Sequence, residues 1–349
     1  MFFASDNTGP VHPRVMEALA EANANHAMPY GDDEWTARAI GLIRDVFEAP
    51  EAVVQLVPSG TAANALSLAT LARPWDAVFC APFAHVYADE CNAPEFFSGG
   101  ARMVPVGDRE DRFTAEALAV AMDRFDPANI QSPAPGPVTI TQLTERGTLY
   151  PLGEIRAIAD VVHDRGQALH MDGARFANAL ASLGCTPAEM SWRAGVDALS
   201  FGGTKNGLMG VEAVVFFDPA RARDLDRRRK RAAQRLSKAR FLGAQMVAYL
   251  EDGLWLELAA AANAAAASLA SALAVHPDAK LDFEPAANMI YVWLPRRLHR
   301  RLADEGAVYY IEKGRLDGGD PNEPLLARLV CDWSTPGSAT DRYAALLNG

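Results

Sequence analysis

The sequence predicts an α/β protein with a mostly parallel central sheet and a smaller α+β unit at the C-terminal end. Up to about residue 217, short apolar runs alternate with helical patterns of roughly 10–15 residues, as in the crossover units that join parallel strands. The short runs are apolar almost throughout, which is typical of strands that are covered on both faces. After about residue 218 this alternation stops and a long helical stretch begins.

The elements of the first part are predicted from composition and periodicity. Strands are indicated by short apolar or β-branched runs, and helices by longer runs of good helix formers. The helix at 114–125 also begins with a threonine in the N-cap position. The predicted strands are 52–57, 76–80, 102–106, 138–144, 168–172, 198–201 and 211–217, and the predicted helices are 61–72, 88–97, 114–125 and 152–164.

The second part is predicted to have a different order. Residues 221–274 are rich in alanine and arginine and are expected to be almost wholly helical. A turn-rich loop at 314–324 is expected to be exposed. We expect a large domain over residues 1–250, whose N-terminal segment also contacts the second unit, and a small α+β domain over residues 251–349. The remaining predicted elements are strands at 289–294, 308–311 and 327–331 and helices at 296–305 and 340–347.

Composition and charge exclude several classes of protein. Of the 349 residues, 50% are hydrophobic and 22% are charged, which excludes a largely disordered chain. A formal net charge of −11 makes general binding of nucleic acid or anionic membranes unfavourable. The first residues do not have the pattern of a signal peptide, and no run approaches about 18 consecutive apolar residues. We therefore expect a cytoplasmic protein.

Two further groups of residues are interpreted as structural. The four cysteines form no C-x-x-C pair and no cluster with zinc spacing, so we expect buried thiols and no metal site. The basic run 227–230 is not interleaved with aromatic residues, which nucleic-acid platforms use. A solvated helix face or an interface helix is the favoured interpretation of this run.

Asp172 and Lys205 carry the main chemical signal. Asp172 ends a predicted strand in HMDGARF, Lys205 follows another in SFGGTKNG, and both segments contain glycine. Ligands of open parallel sheets collect beyond the carboxyl ends of the strands, so both side chains are expected to converge on one ligand. A carboxylate for a pyridinium nitrogen and a lysine for a Schiff base are the requirements of pyridoxal phosphate (PLP). Singly, a capping aspartate and a surface lysine would be the simpler interpretation, but together they favour the cofactor.

The segment 58–62 (PSGTA) is a candidate anion site. It lies at a predicted strand-to-helix turn, where free backbone N–H groups and the helix dipole favour a phosphate. The hydroxyls of Ser59 and Thr61 can add hydrogen bonds, although an ordinary N-cap would also explain both residues. Neither a P-loop nor a G-x-G-x-x-G motif is present, so ATP and NAD are not indicated.

Seven short motifs follow one another from Ser5 to about Thr335: SDNTG, YGDDEWT, PSGTAAN, AHVYADE, HMDGARFANA, FGGTKNG and RLVCDWST. In these motifs and their order the chain resembles the low-specificity L-threonine aldolases. The resemblance implies fold type I of the PLP-dependent transferases, and a homodimer or homotetramer whose active sites are shared between subunits. It also implies cleavage of L-threonine, L-allo-threonine and related L-β-hydroxy-α-amino acids to glycine and an aldehyde. A PLP-dependent β-eliminating lyase or another amino-acid lyase is the alternative.

The resemblance assigns roles to individual residues. Lys205 resembles the Schiff-base lysine, Asp172 the partner of the pyridine nitrogen, and His85 the histidine that stacks on the cofactor ring. Arg175 is assigned to the cofactor site as well as to the substrate. The other assignments are Ser59, Gly60, Thr61 and Thr204 for the cofactor phosphate, Ser5, Arg175 and Arg328 for the substrate carboxylate, Arg240 for the phosphate of the neighbouring subunit, and Tyr30 for a loop that approaches the neighbour's active site.

One position departs from the family pattern. Many members carry a histidine just past the strand that is predicted here at 138–144, whereas this chain has Thr144 and Glu145. This departure leaves open which group takes the proton of the substrate's β-hydroxyl. His85 or a bound water is the first candidate, and Glu145 is a weaker one.

Overall fold

The strands form two separate sheets in the computed structural model, which describes residues 1–107 and 111–348. Several strands of the larger sheet are buried along their whole length, as expected for strands covered on both faces. In chain order the strands are β1 (Val53–Val57), β2 (Asp76–Cys80), β3 (Arg102–Pro105), β4 (Ala134–Thr141), β5 (Leu169–Gly173), β6 (Ala198–Gly202), β7 (Glu212–Phe216), β8 (Lys280–Leu281), β9 (Met289–Pro295), β10 (Tyr310–Lys313) and β11 (Pro324–Val330).

The larger sheet has the strand order β1-β7-β6-β5-β4-β2-β3. Strands β3, β2, β4, β5 and β6 run parallel, and β7 is antiparallel to β6 and to β1. The mostly parallel central sheet that the sequence predicts is therefore confirmed. Because β4, β5 and β6 are parallel neighbours, the residues that follow them along the chain meet at one edge of the sheet.

The helices of the first part cover the central sheet, and α3 is buried from Ala62 to Ala69. The Thr114 side chain caps α6, as the sequence predicts. In chain order the helices are α1 (Pro13–Ala22), α2 (Glu34–Val46), α3 (Gly60–Leu71), α4 (His85–Ala88), α5 (Ala93–Ser98), α6 (Ala115–Met122), α7 (Leu152–Asp164), α8 (Phe176–Leu183), α9 (Pro187–Met190), α10 (Leu225–Arg231), α11 (Arg240–Leu250), α12 (Leu254–Ala274), α13 (Arg296–Asp304) and α14 (Gly337–Asn348).

The second sheet, in the order β10-β11-β9-β8, is antiparallel and packs against α12, α13 and α14. The N-terminal segment joins this layer: the Phe3 N–H donates to the Val308 carbonyl at 2.8 Å, and the Phe3 carbonyl accepts from the Val330 N–H at 2.8 Å. This contact carries the residues that follow Phe3 toward the end of the central sheet. The domain division at residue 250 stays a prediction.

Several predicted elements differ from the observed ones at points where the backbone takes a positive φ. A helix at 88–97 is wrong, because Cys91 and Asn92 (φ 49° and 60°) separate α4 from α5. Residues 221–274 form α10, α11 and α12, with breaks near Ala233 (φ 60°) and Asp252 (φ 54°).

Other elements differ from the prediction in their bounds or were not predicted at all. The strand placed at 138–144 begins at Ala134 and ends at Thr141. The sequence analysis also missed α1, α2, α8 and α9.

The cysteine prediction is correct only in part. Cys80 and Cys331 are buried, Cys185 is half-buried, and Cys91 is exposed. Cys91 lies in the turn between α4 and α5, and its side chain faces solvent. Burial was inferred from apolar neighbours in sequence, and this inference fails where the chain turns.

The run from Arg240 to Ala274 is long and apolar enough to cross a membrane by length and composition alone. The chain bends within this run at Glu251–Gly253, between α11 and α12. Residues Leu242–Leu250 of α11 are all buried, and α11 packs against α1 and α2. The apolar side chains of α11 are thus used inside the fold.

Gly202 allows the close approach of two backbone segments beneath the candidate site. A Cβ atom at Gly202 would lie 2.4 Å from the Ala174 carbonyl oxygen. We predict that Gly202→Ala lowers the free energy of unfolding by about 1–3 kcal/mol, because the β5 and β6 ends must separate. Urea unfolding of the full chain measures this loss. Gly153→Ala is the control, since no atom lies within 4 Å of a Cβ there; an equal loss in both variants would contradict the prediction.

Candidate functional site

The carboxyl ends of β4, β5 and β6 bring together charged side chains from distant parts of the sequence. Asp172 is the penultimate residue of β5, and Lys205 follows β6 in a short 3-10 turn, Thr204–Asn206. This turn is held from below, because the Asn206 side-chain amide donates to the Tyr249 hydroxyl and to the Trp255 carbonyl, both at 2.8 Å. The turn therefore stands on the aromatic core, and the position of Lys205 is fixed by packing.

Asp172 is a buried carboxylate with two donors on separate oxygens. The Ala174 N–H donates to Oδ1 at 2.9 Å, and the Asn64 side-chain amide donates to Oδ2 at 2.7 Å. Asn64 lies on α3, one turn after Gly60, so the same helix that begins at the candidate anion site also reaches Asp172. The carboxylate orientation is thus set by two elements.

His85 begins α4 and is held at its ring and at its backbone. The ring nitrogen Nδ1 lies 2.8 Å from Glu90 Oε1, and the backbone N–H donates to Glu145 Oε1 at 2.7 Å. The hydrogen bond to Glu90 raises the pKa of His85, burial lowers it, and the charge of Asp172 raises it further, so that the net direction is upward. Glu90 is buried, and burial raises the pKa of its carboxyl.

Glu145 lies in the loop after β4, beside His85. Its Oε1 accepts from the His85 N–H and from the Thr141 hydroxyl at 2.9 Å. Its backbone carbonyl accepts from the Tyr291 hydroxyl at 2.9 Å, which connects this loop to β9. Burial and the like charge of Asp172 raise the pKa of Glu145 to about 7. The carboxyl is therefore poised to change charge near neutral pH.

Lys205 lies among charges of both signs. The positive charge of Arg175 and burial lower the pKa of Lys205, while the carboxylates of Asp6, Asp172 and Glu212 oppose this effect. The net lowering makes the free amine more accessible than that of an exposed lysine. Glu212 on β7 accepts from the Gly203 N–H at 2.7 Å, and burial raises its pKa to about 7.

Arg175 is bound by an acidic partner from the N-terminal segment. Its Nε donates to Asp6 Oδ2 at 2.6 Å and its Nη2 donates to Asp6 Oδ1 at 2.9 Å, so the pair is bidentate. Burial raises the pKa of Asp6, but the charges of Arg175 and Lys205 and hydrogen bonds from Arg175 and Asn288 lower it more, so the net direction is downward. Arg175 is thus oriented by Asp6, with its Nη1 edge outside this pair.

The other residues predicted for the substrate carboxylate lie on the same side. The Ser5 hydroxyl accepts from the Asn7 N–H at 3.1 Å and precedes Asp6. Arg328 on β11 donates weakly to the Ala4 carbonyl at 3.4 Å, lies 3.6 Å from Glu312 and stacks over the Tyr310 ring at 5.1 Å. The N-terminal segment therefore bridges Arg175 and Arg328, as a joint carboxylate site requires.

The residues predicted for the phosphate lie at the start of α3. The Ser59 hydroxyl accepts from the Ala62 N–H at 3.3 Å and caps the helix. A Cβ atom on Gly60 would meet no atom within 4 Å, so the space before this turn is open. Thr61 is half-buried. The Thr204 hydroxyl oxygen accepts a hydrogen bond from the Val211 N–H at 3.2 Å, and the Thr204 side chain also hydrogen-bonds to the Glu212 carboxyl.

Tyr30 and Arg240 lie apart from this cluster. Tyr30 has φ 63° and is flanked by the cations of Lys230 and Arg235, at 5.2 and 5.6 Å from its ring. Arg240 Nη1 donates to the Asn25 carbonyl at 2.8 Å and lines a cavity of about 780 Å³ at 23–29 and 237–240. None of the lining residues of this cavity belongs to the Lys205 cluster.

A larger cavity, of about 870 Å³, lies at the opposite edge of the central sheet. It is lined by residues around the amino ends of β2 and β4, including Trp75, Ala134 and Pro135. Ligands of open α/β sheets bind at the carboxyl edge, where the titratable groups converge here. Within residues 1–107 and 111–348, no group of three or more His, Cys, Asp or Glu side chains is placed to hold a metal ion.

Sequence reasoning did not assign roles to several residues of the cluster. A physical signal existed for two of them: Asn64 interrupts an apolar helix, and Glu212 begins an apolar strand, and a polar residue in a buried element needs a partner. The partners themselves lie far apart in sequence and could not be named without the fold. The unassigned residues are Asp6, Asn64, Glu90, Glu212 and Asn288.

Comparisons with known proteins agree over nearly the whole chain. A model of the beta-eliminating lyase family matches residues 3–294. The chain is 43% identical to a low specificity L-threonine aldolase of a Pseudomonas species, with 98% of this chain and 96% of that protein covered. It is 44% identical to the Pseudomonas aeruginosa protein of the same description, with 95% and 93% covered.

Solved structures extend the agreement to three dimensions. A Leishmania major threonine aldolase is similar with a TM-score of 0.92 and 27% identity, covering 99% of this chain and 98% of that one. A serine palmitoyltransferase of Sphingomonas wittichii, at 16% identity and a TM-score of 0.71, shares the fold, with 99% and 86% covered. The PLP-dependent fold type I expected from the sequence is confirmed.

The raised pKa of Glu145 leads to a prediction about stability and pH. The folded chain keeps a proton on this carboxyl that the unfolded chain releases between the ordinary pKa of 4.5 and about 7, so the free energy of unfolding falls as the pH rises through this window. Glu145→Gln cannot titrate. Its stability relative to the unchanged protein should therefore improve by about 1–3 kcal/mol from pH 5 to pH 8, measured by urea unfolding.

The control for this prediction is Glu21→Gln, which removes an exposed glutamate on α1. Its stability difference from the unchanged protein should be the same at both pH values. If the difference for Glu145→Gln were also constant, Glu145 would not titrate differently in the two states.

Proposed function

Since the chain belongs to the beta-eliminating lyase family and is related over nearly its whole length to low specificity L-threonine aldolases, we propose that it is a PLP-dependent carbon–carbon lyase of the threonine aldolase type. It would cleave L-threonine, L-allo-threonine or a related L-β-hydroxy-α-amino acid to glycine and an aldehyde. One observation carries the proposal: Lys205, Asp172 and Arg175 converge at the carboxyl ends of β5 and β6.

The residues at this edge fit PLP. The cofactor needs a carboxylate for its ring nitrogen, an amine for its aldehyde and N–H or O–H donors for its phosphate. Asp172, Lys205 and the start of α3 supply these groups. Within the described part of the chain, three buried oxygens around Asp172 have no hydrogen-bond partner, as expected of a site that a polar ligand completes: Asn64 Oδ1, Glu90 Oε2 and Glu145 Oε2.

Each residue would contribute a separate interaction to cofactor binding. Lys205 would attach the aldehyde covalently, Asp172 would keep the ring nitrogen protonated, and His85 would cover one face of the ring. When bound, PLP supplies an electron sink for the bond that is broken at Cα. The phosphate would be held by donors at the start of α3 and in the turn before Lys205, namely Ser59, Gly60, Thr61 and Thr204.

The substrate carboxylate would be held by Arg175, Arg328 and Ser5. Asp6 fixes the guanidinium plane of Arg175 through Nε and Nη2 before any substrate arrives. Nη1 stays outside this pair and would meet the carboxylate. A guanidinium that is already oriented loses less conformational entropy on binding, which favours one orientation of the bonds at Cα.

His85 is the better candidate for the base that takes the β-hydroxyl proton. Its side chain is 39% exposed, and Nδ1 is held by Glu90, so Nε2 can face the substrate. Glu145 Oε1 is already bonded to two donors, and its Oε2 is buried. With the hydroxyl proton taken, the Cα–Cβ bond breaks, the aldehyde leaves, and a proton added at Cα gives glycine.

A β-eliminating lyase remains the second candidate, because the matching family model carries that description. Such an enzyme would release ammonia and a keto acid, whereas an aldolase releases an aldehyde and glycine. Incubation with L-threonine, L-allo-threonine and phenylserine, with assays for aldehyde, glycine and ammonia, separates the two.

The active form is proposed to be a homodimer or homotetramer with shared sites. Arg240 and Tyr30 lie away from the Lys205 cluster of their own chain, on a face that also exposes Met28 and Leu236. Arg240 Nε is buried without a hydrogen-bond partner in the described structure, so part of its donor capacity is unused. Arg240 would reach the cofactor phosphate of the neighbouring subunit.

Lys205→Ala is predicted to abolish aldehyde release from L-threonine, because no amine then attaches the cofactor. The unchanged protein should be yellow and should lose this colour on borohydride treatment, with a pyridoxyl group found on the peptide that contains Lys205. Lys280→Ala removes an exposed lysine on β8 and should behave as the unchanged protein. Retention of the borohydride adduct by Lys205→Ala would refute the assignment.

Arg240→Ala is predicted to weaken PLP binding about 10- to 100-fold, the usual effect of losing a charge-assisted hydrogen bond. If Arg240 acts on the neighbour, a dimer of one Arg240→Ala subunit and one Lys205→Ala subunit contains one intact site of two. About half of the dimers in an equal mixture are of this kind, so about a quarter of full activity should return. Absorbance titration and aldehyde release measure the two effects. Recovery of no activity beyond that of the separate variants would place Arg240 in its own chain's site.

A further inference from the structure

A continuous chain of hydrogen bonds connects Asp172 to His85 through two residues that the sequence analysis did not assign. The Asn64 amide nitrogen Nδ2 donates to Asp172 Oδ2 at 2.7 Å and to Glu90 Oε1 at 2.8 Å. The same Glu90 oxygen lies 2.8 Å from His85 Nδ1. Asp172, Asn64 and Glu90 are buried, and the His85 ring is half-buried.

The count of hydrogens fixes the direction of each bond. An amide nitrogen carries two hydrogens, and Asn64 uses one on each carboxylate. Glu90 Oε1 therefore accepts from Asn64. When Glu90 is ionised it has no hydrogen to give, so His85 Nδ1 is the donor to the same oxygen. A neutral His85 in this tautomer has its lone pair on Nε2, on the far side of the ring from Glu90.

We propose that Glu90 is a positioning residue that fixes the tautomer and basicity of His85, and that Asn64 couples Glu90 to Asp172. Among the residues that the structure describes, the side-chain hydrogen bonds of Glu90 are those with Asn64 and the imidazole, so Glu90 acts through His85. The proposal rests on the proposed function only where it assigns the proton of the substrate to His85. The hydrogen-bond chain itself is independent of that function.

The charges that face His85 agree with this role. The hydrogen bond to Glu90 is the main cause of the upward shift in the pKa of His85, which burial opposes. Asp172 from β5 adds to the upward shift, and Lys205 from the turn after β6 opposes it. Glu145 from the loop after β4 contacts the His85 backbone rather than its ring. Loss of Glu90 should therefore change the pKa of the His85 ring more than the loss of any other of these groups.

Glu90→Gln tests the proposal with little change in volume. The glutamine oxygen can still accept from Asn64 and from His85 Nδ1–H, so this variant removes the negative charge and keeps both hydrogen bonds. Glu90→Leu removes the charge and both bonds. His85 is observed by NMR in the full chain labelled with ¹³C,¹⁵N-histidine, with and without added PLP, and is assigned by comparison with His85→Gln. The titration midpoint of His85 should move to lower pH in both variants, and the Nδ1–H tautomer should lose population in Glu90→Leu.

The reaction gives an independent readout. If neutral His85 takes the substrate proton, the acid limb of the kcat/KM profile should move to lower pH in Glu90→Gln. At its optimum kcat/KM should fall about 10- to 100-fold, the scale of one hydrogen bond to a charged group. Glu90→Asp, which keeps the charge, should recover part of the lost rate. If Glu90→Asp restored the stability of the protein but not the titration midpoint of His85, the proposal would be overturned.

Asp89→Asn is the matched control. It removes a negative charge from the adjacent, exposed residue without touching the His85 ring, so the His85 midpoint and tautomer should stay unchanged. An equal shift in Asp89→Asn would assign the effect to net charge and overturn the proposal.

The coupling through Asn64 is tested by combining variants. Asn64→Ala should move the His85 midpoint in the unchanged protein but not in Glu90→Leu, because no acceptor then joins Asn64 to the His85 ring. Additive shifts would refute the coupling. If the unchanged protein released no aldehyde while the midpoints moved as expected, the proposed function would fail and the positioning role would stand. If the His85 midpoint did not respond to Glu90→Gln, the positioning role would fail whatever the turnover.

Discussion

The buried carboxylate of Asp172 is the constraint on which the surrounding structure depends. A carboxylate loses its water shell at the end of β5 and must be given donors by the protein, or its burial would be very costly. The Ala174 N–H and the Asn64 amide supply them. Because Asn64 lies on α3, this requirement fixes the helix against the carboxyl end of β5.

Charge balance around Lys205 follows from the same burial. Asp172, Glu145 and Glu212 are acidic groups with little water around them, and the pKa values of Glu145 and Glu212 rise to about 7 as a result. Arg175 brings a positive charge into this group, and the N-terminal segment adds Asp6 to hold it. The N-terminal segment therefore has a role in the electrostatics of the site, although it packs on the second sheet.

The central sheet and its ligand-binding edge could be predicted from the sequence, whereas the breaks between helices could not. The alternation of apolar runs and helices predicts the mostly parallel sheet, and glycine-flanked Asp172 and Lys205 indicate the edge at which ligands collect. The interruption of the helical region at Ala233 and Asp252 was missed, because a single residue in the left-handed region carries no periodic signal. The same reason explains the missed break between α4 and α5.

The fold class, the family resemblance and the residue types available for a PLP site follow from the sequence, because these depend on local periodicity and on short motifs. Which side chains meet is known from the folded chain alone: Asp6 meets Arg175, Asn64 meets Asp172, and Glu90 meets His85. These partners lie on different elements, and hydrogen bonds between them exist only after the sheet, α3 and the N-terminal segment have packed together. Motifs therefore identify the chemistry, whereas packing sets the orientation and charge of each group.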